Sequence, residues 1–256
     1  MIGLISGSGF YGIDGFEEQS VATRYGVVTL LRGEVGGKKA LLLPRHGKDH
    51  KYLPNHLNHR ANLLALKQEG ATIILSTSVC GLLRSDWKLG EPMLGTDLLF
   101  EENRLPGGEI CTFFDQPGEI GRGHLIAGSY FDADLNLVIR QIWEKEYPII
   151  RNGCYVHANG PRFNSKAEIK LMRSAGGDFI SQTCGPEAIL ANELELPYAL
   201  VAYSIDYANG VIEEPTSMEE LIANLKKGSL LFQRLLEALP PEIAKVSFKN
   251  FVYRFS

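Results

Sequence analysis

An apolar run, Met1-Ile2-Gly3-Leu4-Ile5-Ser6, opens onto Gly7-Ser8-Gly9-Phe10-Tyr11-Gly12, a G-x-G-x-x-G spacing. Small residues at that place let the backbone wrap a phosphate group, with turn amides and the Ser8 hydroxyl as hydrogen-bond donors. The same spacing opens dinucleotide-binding folds. Those folds need a following helix whose N-terminus meets the pyrophosphate, and then a second parallel strand ending in an acidic residue. Ile13 to Gln19 is too short and irregular a pattern for that helix, and a hairpin signal follows it. A dinucleotide enzyme is therefore the second choice of fold, and a bare tight turn is the bland alternative for the loop.

Pro44-Arg45-His46-Gly47 ends another apolar run, and Ser76-Thr77-Ser78 ends a third. An arginine fork matches phosphate oxygens, and a histidine can donate beside it. An Arg-His pair alone is usually a surface pair. Hydroxyl, guanidinium and imidazole groups at three strand ends instead describe an anion site, because ligands of open α/β sheets sit at the carboxyl ends of strands. His46, His50, His56 and His59 invite a metal reading, but Gly47 and Pro54 break the helix that a His-x-x-x-His pair needs. No metal site is expected.

The elements that must carry these groups alternate. Val27 to Gly33 and Lys39 to Pro44 are joined across Gly36-Gly37, which predicts a hairpin. Arg60 to Glu69 has helical spacing and stops at Gly70, and Thr72 to Val79 is a β-branched strand. Leu89 to Asp132 is dotted with glycine and proline and predicts loops and short strands. Beyond it the pattern predicts helices over 134–146, 165–174, 186–194 and 218–239, and strands over 153–158, 178–183 and 196–205. Ser165 with Glu168 and Ser217 with Glu220 have the spacing of capping boxes. The expected fold is α/β, a single-domain mixed β-sheet flanked by helices and spanning residues 1–256.

Composition narrows the partners. The 26 basic and 30 acidic side chains leave a formal charge of −4, so no general field draws in nucleic acid or anionic lipid. No apolar stretch approaches the roughly 18 to 20 residues of a membrane span, and the N-terminal run has no basic start or cleavage site. The four cysteines form no C-x-x-C pair, which suits a reducing compartment. The expectation is a cytoplasmic protein whose partners are small molecules, with neither nucleic acid nor membrane among them.

Taken together, the motifs resemble the trimeric purine nucleoside phosphorylases, and within that family the methylthioadenosine phosphorylases most closely. The resemblance runs through residues 3–9, Tyr25-Gly26, Pro44-Arg45-His46-Gly47 with His50, Asn58 with Arg60-Ala61-Asn62, Cys80-Gly81-Leu82-Leu83-Arg84, Gly160-Pro161-Arg162-Phe163, Pro186-Glu187 and Asp206-Tyr207. It implies a nucleoside phosphorylase-like fold, a homotrimer or dimer of trimers, no cofactor, and inorganic phosphate as a co-substrate that displaces a purine from C1′. By motif position it implies phosphate binding by Ser8, Arg45, His46, Ser78, Val79 through its backbone, and Thr183. It further implies nucleoside binding by Gly81, Phe163, Asn164, Gln182 and Asp206, with His50 near the 5′ end of the sugar. Met218, Leu221 and Ile222 fall where methylthio-specific members place apolar side chains.

Cleaving a glycosidic bond builds positive charge on the sugar and negative charge on the purine, so a phosphate dianion helps the first and a proton donor the second. Asp206, ending the apolar strand Leu200 to Ile205, is the expected donor, with burial raising its pKa. Asp206 and Asn164 favour a 6-aminopurine, because the 6-oxopurine members resemble this chain but have asparagine and glutamate there. The expected reaction is phosphorolysis of 5′-methylthioadenosine to adenine and 5-methylthioribose 1-phosphate. A 6-oxopurine or methylthioinosine phosphorylase and a non-catalytic nucleoside binder are the alternatives. The chain departs from the family at Gln182 for methionine, Gly185 for valine and Ala208 for aspartate. Gln182 has the chemistry to reach a ribose hydroxyl where methionine only packs. The divergent middle stretch, with His124, is where the family reaches across a subunit interface.

Overall fold

The computed structural model describes residues 1–7 and 15–255. In chain order these form β1 (Ile2–Ser6), β2 (Glu17–Thr23), β3 (Gly26–Val35), β4 (Lys38–Pro44), α1 (His59–Gln68), β5 (Ile73–Leu82), β6 (Pro92–Leu99) and β7 (Gly123–Ile126). There follow α2 (Ala133–Trp143), β8 (Arg151–His157), α3 (Lys166–Ser174), β9 (Phe179–Ser181), α4 (Cys184–Glu193), β10 (Tyr198–Tyr207), α5 (Met218–Ala238) and β11 (Phe251–Arg254). Nine strands make one sheet in the order β10-β6-β8-β9-β5-β1-β4-β3-β2, and a further β10–β5 pairing closes part of it into a ring.

Alternation along β1 divides the core. Ile5 points into a cluster with Ala61, Leu63 and Leu66 of α1 and Ala188 and Leu190 of α4. Ile2 and Leu4 point the other way, onto Leu135 and Ile139 of α2 and Leu231 and Leu235 of α5. A strand buried on both faces reads as a continuous apolar run, and β1 does. The mixed sheet covered by helices on both faces agrees with the expectation, and so do the β3–β4 hairpin across Gly36-Gly37 and the helices themselves, although α2 stops at Trp143, three residues short of the expected end, and α4 starts two residues early at Cys184. Both of those glycines have positive φ, 54° and 73°, which the tight turn requires. Ser165 and Glu168 form the full capping box, whereas Ser217 accepts from the Glu220 amide at 3.2 Å.

Two elements differ from expectation. Pro92–Leu99 is an eight-residue strand in the middle of the sheet, paired with β8 and β10. Its sequence hides this, because Gly95 replaces a side chain where Phe131 packs, a Cβ there meeting the ring at 3.0 Å. Glu17–Thr23 is an edge strand on β3, exposed along most of its length, so it carries little apolar pattern. Among the described residues no helix is long and apolar enough to cross a membrane.

The parallel register sets the strand ends level. Ser6 pairs with Pro44, and Ile5 with Ser76, so the end of β1, the Arg45 turn and the hydroxyl cluster of β5 meet along one edge of the sheet. On the far side of β5, β10 runs parallel with Ala202 opposite Ser78, and after a bulge Asp206 stands opposite Gly81.

Candidate active site

The Arg45 side chain does not reach outward from its strand end. It folds into the core and meets Glu187 on the first turn of α4, with both side chains almost fully buried at 1% and 2% exposure. Nε donates to one Glu187 oxygen at 2.5 Å, and Nη2 to the other at 2.9 Å and to Ser76 Oγ at 2.7 Å. Nη1 donates to the Thr77 carbonyl at 3.0 Å. Ser76 Oγ and Tyr198 Oη complete the carboxylate's shell at 2.7 and 3.1 Å. Burial opposes charge on both groups, yet the guanidinium holds Glu187 below the usual carboxylate range and Glu187 raises Arg45 in turn. Of the five guanidinium N–H donors, the described residues leave one hydrogen on Nη1. That atom borders Gly7, where a Cβ would lie 2.9 Å from it and 3.0 Å from the Thr77 carbonyl. Gly7 is therefore small because the guanidinium packs against the start of the loop.

Thr77 ties the loop's entrance, accepting from the Gly7 amide at 3.1 Å. Ser8 lies outside the described residues.

His46 is buried beside Arg45, and its Nδ1 is 2.8 Å from the Tyr52 carbonyl. A carbonyl only accepts, so Nδ1 carries the proton. Burial, with the Arg45 charge second, pushes the imidazole down to about 4. The neutral ring therefore offers Nε2 as an acceptor, where the sequence suggested a donor. His50 stacks on it with centroids 4.2 Å apart and planes 13° from parallel.

On the β5 side a hydrogen-bond chain runs from the N-terminus of α4 to Ser78 and the backbone of Val79. The α4 amide of Cys184 donates to Tyr155 Oη at 3.1 Å, and that hydroxyl is 2.8 Å from Ser181 Oγ. Ser181 Oγ is 2.9 Å from Ser78 Oγ, which donates to the Val79 carbonyl at 3.0 Å. With Tyr155 accepting at one end and Ser78 donating at the other, the protons of this chain all point toward Ser78. Thr183 is the N-cap of α4 but makes no side-chain cap, and its hydroxyl lies 3.5 Å from Cys184 Sγ.

Asp206 stands across β5 from this group. Burial pushes its carboxyl up to about 6, so a proton-bearing form persists toward neutral pH. Gly81 faces it, and a Cβ there would come within 3.2 Å of Oδ1, so the glycine leaves the carboxyl uncovered.

The remaining expected residues form no such cluster. Phe163 is 80% exposed on the loop after β8, Met218 is 70% and Ile222 52% exposed on the first turns of α5, and Leu221 is half-buried. The Asn164 carbonyl accepts from Asn209 Nδ2 at 2.7 Å, and Gln182 Nε2 donates to the Arg162 carbonyl at 3.0 Å. A cleft of about 910 Å³ opens beside Arg45 and His50, toward the β3 face, rather than at Asp206. Among the described residues no group of three or more His, Cys, Asp or Glu is placed to hold a metal ion.

Sequence reasoning missed the roles of Glu187, Tyr155 and Ser181. Glu187 carried a signal, since a carboxylate amid the apolar residues of α4 needs a cation, and Arg45 ends a buried strand. Tyr155 and Ser181 sit on separate strands and carried none. One departure from the family has a local cause: a Cβ at Gly185 would lie 2.5 Å from His157 Cβ, so His157 fills the space a valine would take.

Known proteins resemble this chain over most of its length. The model of the phosphorylase superfamily matches residues 1–239. S-methyl-5′-thioadenosine phosphorylase of Thermofilum pendens is 34% identical over 94% of this chain and 92% of its own length. The 6-oxopurine nucleoside phosphorylase of Pyrococcus furiosus is 33% identical over 95% and 93%. Methylthioadenosine phosphorylase of Schistosoma mansoni, solved with adenine, superposes with a TM-score of 0.83 at 28% identity, covering 93% of this chain and 90% of that one.

Proposed function

Since the chain belongs to the phosphorylase superfamily, we propose that it cleaves 5′-methylthioadenosine with inorganic phosphate, yielding adenine and 5-methylthioribose 1-phosphate. The observation that carries this is Asp206, whose carboxyl is pushed up to about 6 by burial and faces Gly81, where a side chain would crowd it. A carboxyl in that state donates a proton to N7 of the departing purine, and its other oxygen accepts from a 6-amino group.

Phosphate enters from the opposite side of β5. The Nη1 hydrogen of Arg45, the Val79 amide, Thr183 and the N-terminal end of α4 supply donors, with Ser8 on the loop, and the Ser78 hydroxyl joins them when it turns its one proton from the Val79 carbonyl to the anion. Because Glu187 already neutralises Arg45, the anion meets a site whose positive charge is largely balanced. Nε2 of His46 accepts from the hydroxyl of a monohydrogen phosphate and so orients its unprotonated oxygens toward C1′. Phosphate attacks as positive charge builds on the sugar, the C1′–N9 bond breaks, and the electron pair leaves on the purine as Asp206 protonates it. No cofactor takes part in this scheme. The protein works as a homotrimer or dimer of trimers in the cytoplasm.

Incubation with a panel of 6-amino and 6-oxo nucleosides, with and without phosphate, tests the proposal. Adenine should appear from methylthioadenosine only when phosphate is present. Release that ignores phosphate means hydrolysis, a preference for inosine or methylthioinosine moves the substrate to the 6-oxo class, and binding without turnover makes the chain a nucleoside binder.

A further inference from the structure

The segment between β8 and α3, residues 159–164, carries Phe163 and Asn164 and is held by its backbone. At its entrance the Ala158 amide donates to the Ser181 carbonyl at 3.1 Å, and at its exit the Ser165 amide donates to Glu168 Oε2 at 2.7 Å. Between these ends Gln182 Nε2 holds the Arg162 carbonyl at 3.0 Å, and Asn209 Nδ2 holds the Asn164 carbonyl at 2.7 Å. The rest of the Gln182 amide is turned to the same loop. A Cβ on Gly160 would collide with Gln182 Oε1 and come within 2.7 Å of Cδ. Gly160 and Gln182 therefore fit each other, the glycine giving up its side chain where the carboxamide lies flat against the loop. Arg162, exposed, spends its guanidinium on Glu168 at 2.7 and 2.9 Å.

We propose that Gln182 is a positioning residue that latches the 159–164 loop on the nucleoside side of the site, and that it sets nucleoside binding through Phe163 and Asn164 without contacting a sugar hydroxyl. This rests on the phosphorolysis reading of the site. Methionine at this position can pack against the loop but has no N–H to hold the Arg162 carbonyl, so the latch belongs to this chain's own substitution. Both functional ends of the carboxamide face the loop, and a hydroxyl of the sugar would have to compete with the Arg162 carbonyl for it.

The test uses the full-length protein and three variants, Gln182→Met, Gly160→Ala and the double variant Gly160→Ala/Gln182→Ala. In Gln182→Met, trypsin should cut after Arg162 roughly 3- to 10-fold faster, the opening expected from one lost hydrogen bond. The nucleoside KM should rise by a similar factor while the phosphate KM stays at its wild-type value. That factor should be the same for a ribonucleoside and its 2′-deoxy counterpart. Gly160→Ala should produce the same phenotype, and the double variant should be no worse than either single change, because the two disturb one contact. A KM effect confined to the ribonucleoside would put Gln182 on the sugar and overturn the latch, as would unchanged cleavage in Gln182→Met. If wild type acts on no nucleoside, the proposed function fails, and the cleavage rates alone then uphold or overturn the latch.

Discussion

The proposed phosphate corner and the proposed nucleoside rim are built in opposite ways. In the corner, Arg45, Glu187, Ser76, Tyr198 and His46 are buried polar groups that hydrogen-bond one another and the backbone, and the described residues leave one Nη1 hydrogen of Arg45 and Nε2 of His46 to meet a ligand. On the rim, Phe163, Met218 and Ile222 are apolar side chains in solvent. A buried charge is tolerated only when paired and hydrogen-bonded, so the corner exists in one arrangement before any ligand arrives. Exposed apolar groups near a polar site mark a surface that another molecule covers. The half proposed to bind the anion is thus part of the protein's core, and the half proposed to choose the nucleoside is not, so changes should cost stability in the first and selectivity in the second.

The strongest way to break that contrast is to unpair the corner. Glu187→Ala leaves the Arg45 charge buried alone, which should cost about 3–5 kcal/mol in urea or thermal unfolding. Replacing both by methionine should restore most of that stability yet leave the phosphate KM high. A double variant with normal phosphate binding would show that Arg45 serves the core alone.

Next in size is Asp206→Asn. It removes the proposed proton donor, and kcat/KM for 6-amino nucleosides should fall roughly 100-fold, within the usual worth of a general acid, with little change in phosphate KM. A gain on 6-oxo nucleosides in the same variant would sharpen the view that this strand end selects the base.

The pH profile probes the same group. Asp206 is raised from 3.8 to about 6 by burial, so its folded form holds the proton more tightly than the unfolded chain does. Its favourable contribution is complete below about 3.8 and is lost as pH rises through about 6. The melting temperature of wild type relative to Asp206→Asn should therefore decline over that interval. Over the same limb kcat/KM should fall in wild type as the donor deprotonates. A flat wild-type profile through pH 6 would assign the proton elsewhere.

The smallest effect is expected on the rim. Met218→Ala should change stability by less than about 0.5 kcal/mol, as exposed sites do, while raising the KM for methylthioadenosine a few-fold and leaving adenosine unaffected. Equal losses for both substrates would remove Met218 from recognition of the 5′ substituent.

Much of this was legible in the chain. The apolar run of β1, the Gly36-Gly37 hairpin and the capped helices are local signals, set by side-chain alternation and by φ values that glycine reaches easily. The strand-end motifs around Arg45, Ser78 and Asp206 were legible for the same reason, because in a parallel sheet the carboxyl ends converge. β6 was not, since its central position comes from its partners β8 and β10 and not from a pattern of its own.

What the residues by themselves determined is the chemical inventory: a small-residue loop, an arginine, a histidine, hydroxyls and a carboxyl, each at the end of an apolar run. Tertiary structure decided what each of those groups is free to do. Glu187, 142 positions from Arg45 in sequence, takes two of the guanidinium's five N–H donors. The Tyr52 carbonyl turns His46 from donor to acceptor, and Gln182 faces a loop instead of a sugar. Hydrogen-bond capacity is finite and depends on which partners the fold brings within 3 Å or so, and sequence spacing carries no record of those distances.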